Sequence, residues 1–317
     1  MLSASRIFSV LLTGLGIALI AGGVVAPRFL LGDARLPLDL EHTTWTLTDD
    51  NGTYRGESVP VTRQLHMQIQ NPADEDSVGI RIGDSLRAGA AERDFDNLVA
   101  ASTWSYEMDR GTGLPVSAMR VSAVMATPDA VVQKGGVWLK FPADVAQETY
   151  DVFEPHLRET VPATFVGEDE VEGRRVYRFE QHVAPTNVAL KYADVRNTKT
   201  ILGPEGEQIR SFYYHSAHRE LTVDQISGLV VGVKERVDDF YGDVAGQRLE
   251  EIIRYDAGME QGDVEKLAGQ LGAVYSQGQS RSVTIAVIAL GAVLALIGVI
   301  GALRSGNKRR SRGRHAA

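Results

Sequence analysis

The chain has 317 residues, 33 Lys+Arg against 41 Asp+Glu, and no Cys, which excludes disulfides, thiolate catalysis and Cys-ligated zinc. Seven of the basic residues, Arg6 and six between 304 and 314, lie outside residues 26 to 282. That middle region keeps 26 basic against 41 acidic residues, a net −15, which argues against a nucleic-acid partner because such affinity depends on Lys and Arg neutralising phosphates.

Ile7 to Val25 is an apolar run preceded by Arg6 and followed by Pro27 and Arg28. Its length suits a retained membrane helix, and Val24-Val25-Ala26 runs straight into Pro27, a poor residue after a signal-peptide cleavage site. Period-two patterns follow. Val59, Val61, Leu65, Met67 and Ile69 share one face of a strand interrupted only by Arg63, and Val78, Ile80 and Ile82 repeat the pattern. Met119, Val121, Ala123 and Met125 continue it, as do Leu229, Val231 and Val233. Asn51-Gly52 and Glu172-Gly173 read as hairpin turns. Helical signals are fewer: Ala143 to Glu159, interrupted at Pro155, and Val264 to Tyr275.

Val283 to Leu303 is the second apolar segment, long enough at roughly 1.5 Å per residue to span about 31 Å of bilayer. Arg304, Lys308, Arg309, Arg310, Arg312 and Arg314 follow it, and by the positive-inside bias that end is expected in the cytoplasm. The expected organisation is a cytoplasmic segment 1–6, a transmembrane helix 7–25, and two tandem β-rich extracytoplasmic lobes, 26–153 and 154–268. A helical connector 269–282, a transmembrane helix 283–303 and a basic cytoplasmic tail 304–317 complete it. The fold class is mainly β or α+β, an antiparallel sheet with a few helices, anchored twice in the plasma (inner) membrane. Gly14, Ala18 and Gly22 in the first helix, and Gly291, Ala295, Gly298 and Ala302 in the second, are spaced to let the two helices pack closely.

Met108-Asp109-Arg110-Gly111-Thr112-Gly113-Leu114-Pro115-Val116 matches Val223-Asp224-Gln225-Ile226-Ser227-Gly228-Leu229-Val230-Val231 in Asp, hydroxyl, Gly, Leu and Val. Either the lobes are duplicates or Asp-x-x-Thr/Ser-Gly is a recurrent way to turn a β-chain.

Chemical motifs are sparse. Gly83-Asp84-Ser85-Leu86 spells a GDSL-type nucleophile block, but the one Asp-x-x-His, Asp39 to His42, lies upstream, so Ser85 reads as a turn residue after a strand. His215 and His218 form His-x-x-His within strand-like sequence, where residues three apart face opposite sides, which gives no metal site. Asp74-Glu75-Asp76 lacks the spacing of a calcium loop, and no cofactor motif is present. Trp45, Trp104, Tyr106, Trp138, Phe141, Phe212 and Tyr214, with Tyr150 and Phe153, either fill cores or line an apolar ligand groove between sheets.

Gly136-Val137-Trp138-Leu139-Lys140-Phe141-Pro142, continued by Thr149-Tyr150-Asp151-Val152-Phe153, carries a resemblance to a known family. With Met108 to Gly113 and the two apolar helices, it resembles the actinobacterial PorA-like family, departing from it at Ala143-Asp144, where a second aromatic is expected. The resemblance implies an envelope protein of a mycolic-acid-containing bacterium that handles a lipid or glycolipid such as trehalose monomycolate, alongside an RND-type mycolate exporter. It attaches no residues to that role. An aqueous pore is not implied, because neither apolar helix has a polar stripe and no lipid-facing barrel pattern with aromatic girdles is present. The leading expectation is a membrane-tethered periplasmic protein that binds or hands over a lipid without catalysis. An interaction scaffold for an envelope transporter or polar-growth complex is the alternative, with a porin or a hydrolase at Ser85 third.

Overall fold

A computed structural model of the chain describes residues 4–25, 34–89, 97–123, 128–133, 135–272, 274 and 277–312. Ala26, Pro27, Arg28, Met125, Tyr275 and Arg314, used above, lie outside the described residues. The chain divides into a helix unit, Met1–Ala34 with Ala273–Ala317, and a sheet unit, Arg35–Gly272.

In the helix unit, α1 (Ala4–Val25) packs on a helix spanning Gln277–Arg312. The stretches Ile7–Val25 and Arg281–Leu303 are each long and apolar enough to cross a membrane. Their contact is built from small residues seven apart, the spacing that keeps one seam facing a partner helix. Ser9, Gly16 and Gly23 are buried on α1, opposite buried Gly291 and Gly298. A Cβ on Gly16 would sit 2.5 Å from the Gly291 carbonyl, and one on Gly298 would sit 2.6 Å from the Thr13 backbone nitrogen. This corrects the face expected on the first helix: Gly14 and Gly22 meet nothing within 4 Å and Ala18 is exposed. The four-residue spacing of Gly14, Ala18 and Gly22 falls on the side away from the seam. On the second helix Ala295 backs onto Gly16, and Ala302 is half-buried.

The sheet unit begins with β1 (Thr44–Asp49), β2 (Thr53–Tyr54), β3 (Glu57–Ser58), β4 (Val61–Ala73) and β5 (Ser77–Ala88). It continues with β6 (Leu98–Asp109), β7 (Met119–Ser122), β8 (Ala130–Val132), β9 (Tyr150–Glu154) and β10 (Glu159–Val171). The last strands are β11 (Arg174–Asn187), β12 (Thr198–Leu202), β13 (Gln208–Asp224), β14 (Val230–Gly242) and β15 (Arg248–Met259). A short helix, α2 (Gln261–Gly269), follows and buries Leu267 and Ala268; the long second helix of the other unit is α3.

All fifteen strands belong to one antiparallel sheet with the main order β8-β7-β6-β5-β4-β1-β15-β14-β13-β11-β10-β9. The order repeats. β1-β4-β5-β6-β7-β8 is a six-stranded meander, β9-β10-β11-β13-β14-β15 is a second, and β1 pairs with β15 to join them. The expected lobes are thus halves of a continuous sheet. Their boundary lies between β8 and β9 rather than at residue 153, because β9 takes its antiparallel partner from β10.

Period-two alternation fills the inner face, as in the β4 sequence Val61, Arg63, Leu65, Met67, all buried. The sheet curls until Trp104 of β6 reaches Phe153 of β9, with ring centroids 5.1 Å apart. Glu172-Gly173 makes the two-residue β10–β11 turn, both at positive φ (50° and 70°), as a right-handed sheet twist favours.

The two Asp-x-x-Thr/Ser-Gly segments form the same turn at equivalent ends of β6 and β13. In one, Gly113 N donates to Asp109 O (2.9 Å) and Asp109 N to Leu114 O (2.9 Å); in the other, Gly228 N donates to Asp224 O (2.8 Å) and Asp224 N to Leu229 O (2.9 Å). Gly113 and Gly228 have φ of 73° and 72°.

Residues 135–149, which connect the halves, run as a strap over the inner face. No helix forms between Ala143 and Glu159. Asp144 has φ 53°, Tyr150–Glu154 is β9, and Gln181 donates to the Val152 carbonyl (3.1 Å), so pairing with the sheet overrides the helical pattern. Phe141 N donates to Gly228 O (2.6 Å), Ala143 N to Gly111 O (2.8 Å), and Val230 N to Leu139 O (3.0 Å). Any side chain at Gly113 or Gly228 would collide with the carbonyls of Lys140 or Phe141, so both turns need glycine for conformation and for close approach.

Candidate functional site

Seven ionisable residues share the inner face with the aliphatic core, an arrangement tolerated only when charges are paired. They form a chain of alternating sign. Arg63 Nε and Nη2 donate to Asp84 (3.1 and 2.9 Å), and Arg63 Nη1 donates to both Glu235 oxygens (2.9 and 2.6 Å). Arg219 Nε donates to Glu235 Oε2 (2.8 Å), and Arg219 Nη1 donates to Glu154 Oε2 and to Gln181 Oε1 (3.0 Å). Glu154 Oε1 lies 3.6 Å from His215 Nε2, and His215 Nδ1 lies 2.7 Å from Asp239 Oδ1. Tyr255 donates to Glu235 Oε1 and Tyr213 to Asp239 Oδ2, both at 2.7 Å. The chain links β5, β4, β14, β13 and β9, and so spans both halves of the sheet.

At Glu235, Glu154 and His215 burial opposes the charge and the neighbouring charges overrule it. Burial would raise Glu235, but Arg63 and Arg219 hold it down at about 2. Glu154 is held well below the usual carboxylate range by Arg219 and His215, against the same effect. Burial would lower His215, yet Asp239 and Glu154 raise it to about 9. Lys140 behaves differently. It is 1% exposed, its Nζ donates to the Gly111 and Phe141 carbonyls (3.0 and 2.6 Å), and burial lowers it to about 7 despite Asp109 and Asp224.

A pocket of about 80 Å³ opens onto this chain, lined by Arg63, Asp84, Ser102, Trp104, His156, Arg158, Tyr192, Arg196 and Tyr255 among others. The Arg158 guanidinium lies 3.5 Å above the Tyr192 ring, and the Tyr192 hydroxyl donates to the His156 carbonyl (3.0 Å). A second, 30 Å³ space beside Arg219, Leu65, Trp138 and Phe153 has room for a water. Glu154, His156 and His215 each bring one nitrogen or carboxylate oxygen within 4.8 Å of the others.

The aromatic residues read as groove candidates are mostly packed on each other. Trp104, Trp138 and Phe153 meet edge to face at 5.1 to 5.9 Å, and Phe141 contacts Tyr150 and Phe179. Trp45 is fully buried and donates to the Val230 carbonyl (2.8 Å). Tyr106 is buried, which pushes its hydroxyl pKa up. Phe212 and Tyr214 lie on β13 in a different group, with Tyr214 stacked on Phe240. Trp104 alone of the seven lines the 80 Å³ pocket.

Ser85 is a mid-strand residue opposite Gln64 and Ala101, a correction to its reading as a turn after a strand, and His42 is tied to Gln270 instead. Asp74 Oδ1 accepts from Asp76 N and Ser77 N (2.9 and 2.7 Å) in the β4–β5 turn. His215 is buried and His218 exposed, as opposite faces of a strand require. Sequence reasoning missed the ion chain, although its signal was present. Arg63 sits in phase with Val61 and Leu65, Asp84 with Ile82 and Leu86, and Glu235 with Val233 and Val237.

The family described as Porin PorA matches residues 8–300, a span that takes in most of both apolar stretches, the strap and both turns. The chain belongs to the Porin PorA family. Proteins named Porin PorA from Corynebacterium resistens and Corynebacterium amycolatum are 26% and 22% identical to it, each match covering 58% of this chain. Those matches cover 54% and 55% of the relatives, so the chain spans about half the length of the curated PorA relatives it matches.

Proposed function

We propose that this PorA-family chain is a two-pass protein of the plasma membrane whose sheet unit, outside the cytoplasm, binds the polar head of an envelope lipid or glycolipid and presents it for transfer. The observation that carries the reading is the 80 Å³ pocket, where Arg63, Arg158, Arg196, Asp84, Ser102, Tyr192 and Trp104 combine cations, a carboxylate, hydroxyls and aromatic faces. Such a mixture suits a hydroxyl-rich or phosphorylated head group. The acyl chains stay outside, because the strap and its aromatic residues fill the inner face. A trehalose monomycolate-like glycolipid is a candidate ligand, and an RND-type exporter is the kind of donor such a carrier would serve.

The test is native mass spectrometry of the full chain in nanodiscs containing candidate glycolipids, with Arg158→Glu and Tyr192→Ala as variants. Retained glycolipid that both variants lose is the expected result; equal retention by parent and variants sinks the proposal. Lipids brominated on the acyl chain add a second readout, since Trp45, Trp104 and Trp138 are the three tryptophans and all belong to the sheet unit. Strong quenching would mean that chains enter beneath the strap, against the head-group reading.

A pore formed by this sheet is disfavoured. Its inner face is filled, and exposed Glu180, His218 and Arg236 stand on the outer face of β11, β13 and β14, where a membrane barrel needs an apolar band. A scaffold role has one observation in its favour. Leu190, Val195, Leu202 and Val244 are 70% to 83% exposed in the segments around β12 and the β14–β15 turn, a surface a protein partner could cover. Crosslinking that finds a stoichiometric partner, lost on changing Leu190 and Val244 to Ser, would favour it.

A further inference from the structure

The ion chain carries an electrical imbalance. It contains four carboxylates, Asp84, Glu235, Glu154 and Asp239, against two guanidinium groups, Arg63 and Arg219, with His215 between Glu154 and Asp239. A metal-ligating imidazole is neutral, and with His215 in that form the net charge is −2, in surroundings where unbalanced charge is expensive. A single divalent cation beside His215 would cancel it.

The geometry at that end of the chain suits one. His215 is fully buried, and its Nε2 has no hydrogen-bond partner, the 3.6 Å to Glu154 Oε1 being too long. Its Nδ1 is held by Asp239 at 2.7 Å, which aims Nε2 as a ligand in the way carboxylates support metal-bound histidines. Glu154 divides its oxygens: Oε2 takes Arg219, and Oε1 faces both rings, 3.2 Å from His156 Nδ1. Tetrahedral zinc with bonds of about 2.1 Å separates its ligand atoms by roughly 3.4 Å, close to the 3.6 Å between Glu154 Oε1 and His215 Nε2. The two rings stack at 4.3 Å, so both nitrogens cannot aim at one ion until His156 rotates. That ring is a quarter exposed, in the turn after β9, and lines the 80 Å³ pocket.

We propose that Glu154, His156 and His215 form a binding site for one divalent transition-metal ion of the zinc class, with a fourth position open to water from the pocket. The site stands independently of the head-group reading, since neither Tyr192 nor Arg158 supplies a ligand atom. It would lock β9, β13 and the following turn together across the curl of the sheet.

The experiment uses the full chain in detergent, stripped with EDTA and titrated with zinc against a chromophoric chelator, with cobalt absorption reporting tetrahedral geometry. One equivalent should bind. His156→Ala, at the most exposed of the three ligands, should weaken binding at least 10-fold while leaving the circular dichroism unchanged, and Asp239→Asn should weaken it roughly 10- to 100-fold. The exposed pair His182 and His218, with rings 6.1 Å apart across β11 and β13, is the control, and the double variant to Ala should bind as the parent does. Binding below half an equivalent, an unchanged affinity in His156→Ala, or loss of binding in the His182/His218 variant would each overturn the proposal.

Discussion

Replacing Arg219 with Met tests whether the ion chain holds the two halves of the sheet together. Arg219 is the guanidinium shared by Glu154 and Glu235, and its side chain is 6% exposed. After the change Glu235 keeps Arg63 and Tyr255, whereas Glu154 keeps only His156 and the more distant His215. The loss therefore concentrates on a carboxylate that is 0% exposed. Removing one partner of a buried ion pair costs about 3–5 kcal/mol, a large share of the 5–15 kcal/mol typical of a folded domain. For a unit of this size that lowers the melting temperature by roughly 6–20 °C. Glu154→Gln in the same chain removes the stranded charge and should restore all but about 1–2 kcal/mol. Acid should have the same sense of effect on the single variant, because a buried Glu154 without its guanidinium titrates upward and its penalty fades as pH falls toward that raised value. Urea unfolding followed by tryptophan fluorescence reads all three quantities. A loss below about 0.5 kcal/mol for Arg219→Met, or a double variant no more stable than the single one, would show that water or rearrangement compensates the chain.

Gly298→Ile should disrupt the α1–α3 contact by about 1–3 kcal/mol, because the added side chain meets Thr13 and Ser9, while Gly14→Ile should leave it intact; intramolecular crosslinking efficiency separates the two. Gly228→Ala combines a positive φ, worth about 1–2 kcal/mol, with a collision on the Phe141 and Pro142 carbonyls worth about 1–3 kcal/mol more. Gly173→Ala has the same kind of φ but open space, so a thermal-melt difference near zero between the two would refute the close-approach argument. In the EDTA-stripped, metal-free chain His215, raised to about 9, contributes stability below about pH 6.5 that is lost as pH rises through 9. Lys140, lowered to about 7, acts in the opposite sense, so stability gains as pH rises above 7. Lys140→Met should therefore steepen the loss between pH 7 and 9, and equal slopes in melts of parent and variant would contradict that. Because the chain has no Cys, single cysteines can map its topology with impermeant maleimide; labelling from outside at Glu205 but not at Lys308 is the expected pattern.

The sequence by itself determined whatever depends on local periodicity and composition. Two charge-free runs need no tertiary context to be recognised as long and apolar enough to cross a bilayer. Val61 to Ile69 and Val78 to Ile82 alternate because one face of a strand is buried. The repeated Asp-x-x-Thr/Ser-Gly turn is legible because Asp and Gly carry its geometry locally. Residues distant in the chain were decided only by the fold. Ala143 to Glu159 has a helical pattern that hydrogen bonding to β10, β11 and β13 overrides. Gly16 and Gly23, rather than Gly14 and Gly22, face α3 because the partner helix selects the seam. Arg63, Glu235, Arg219, Glu154 and His215 gain a shared role only when β1 pairs with β15 and the sheet curls β9 over β13, since strand alternation says which face a charge occupies and nothing about which opposite charge will meet it there.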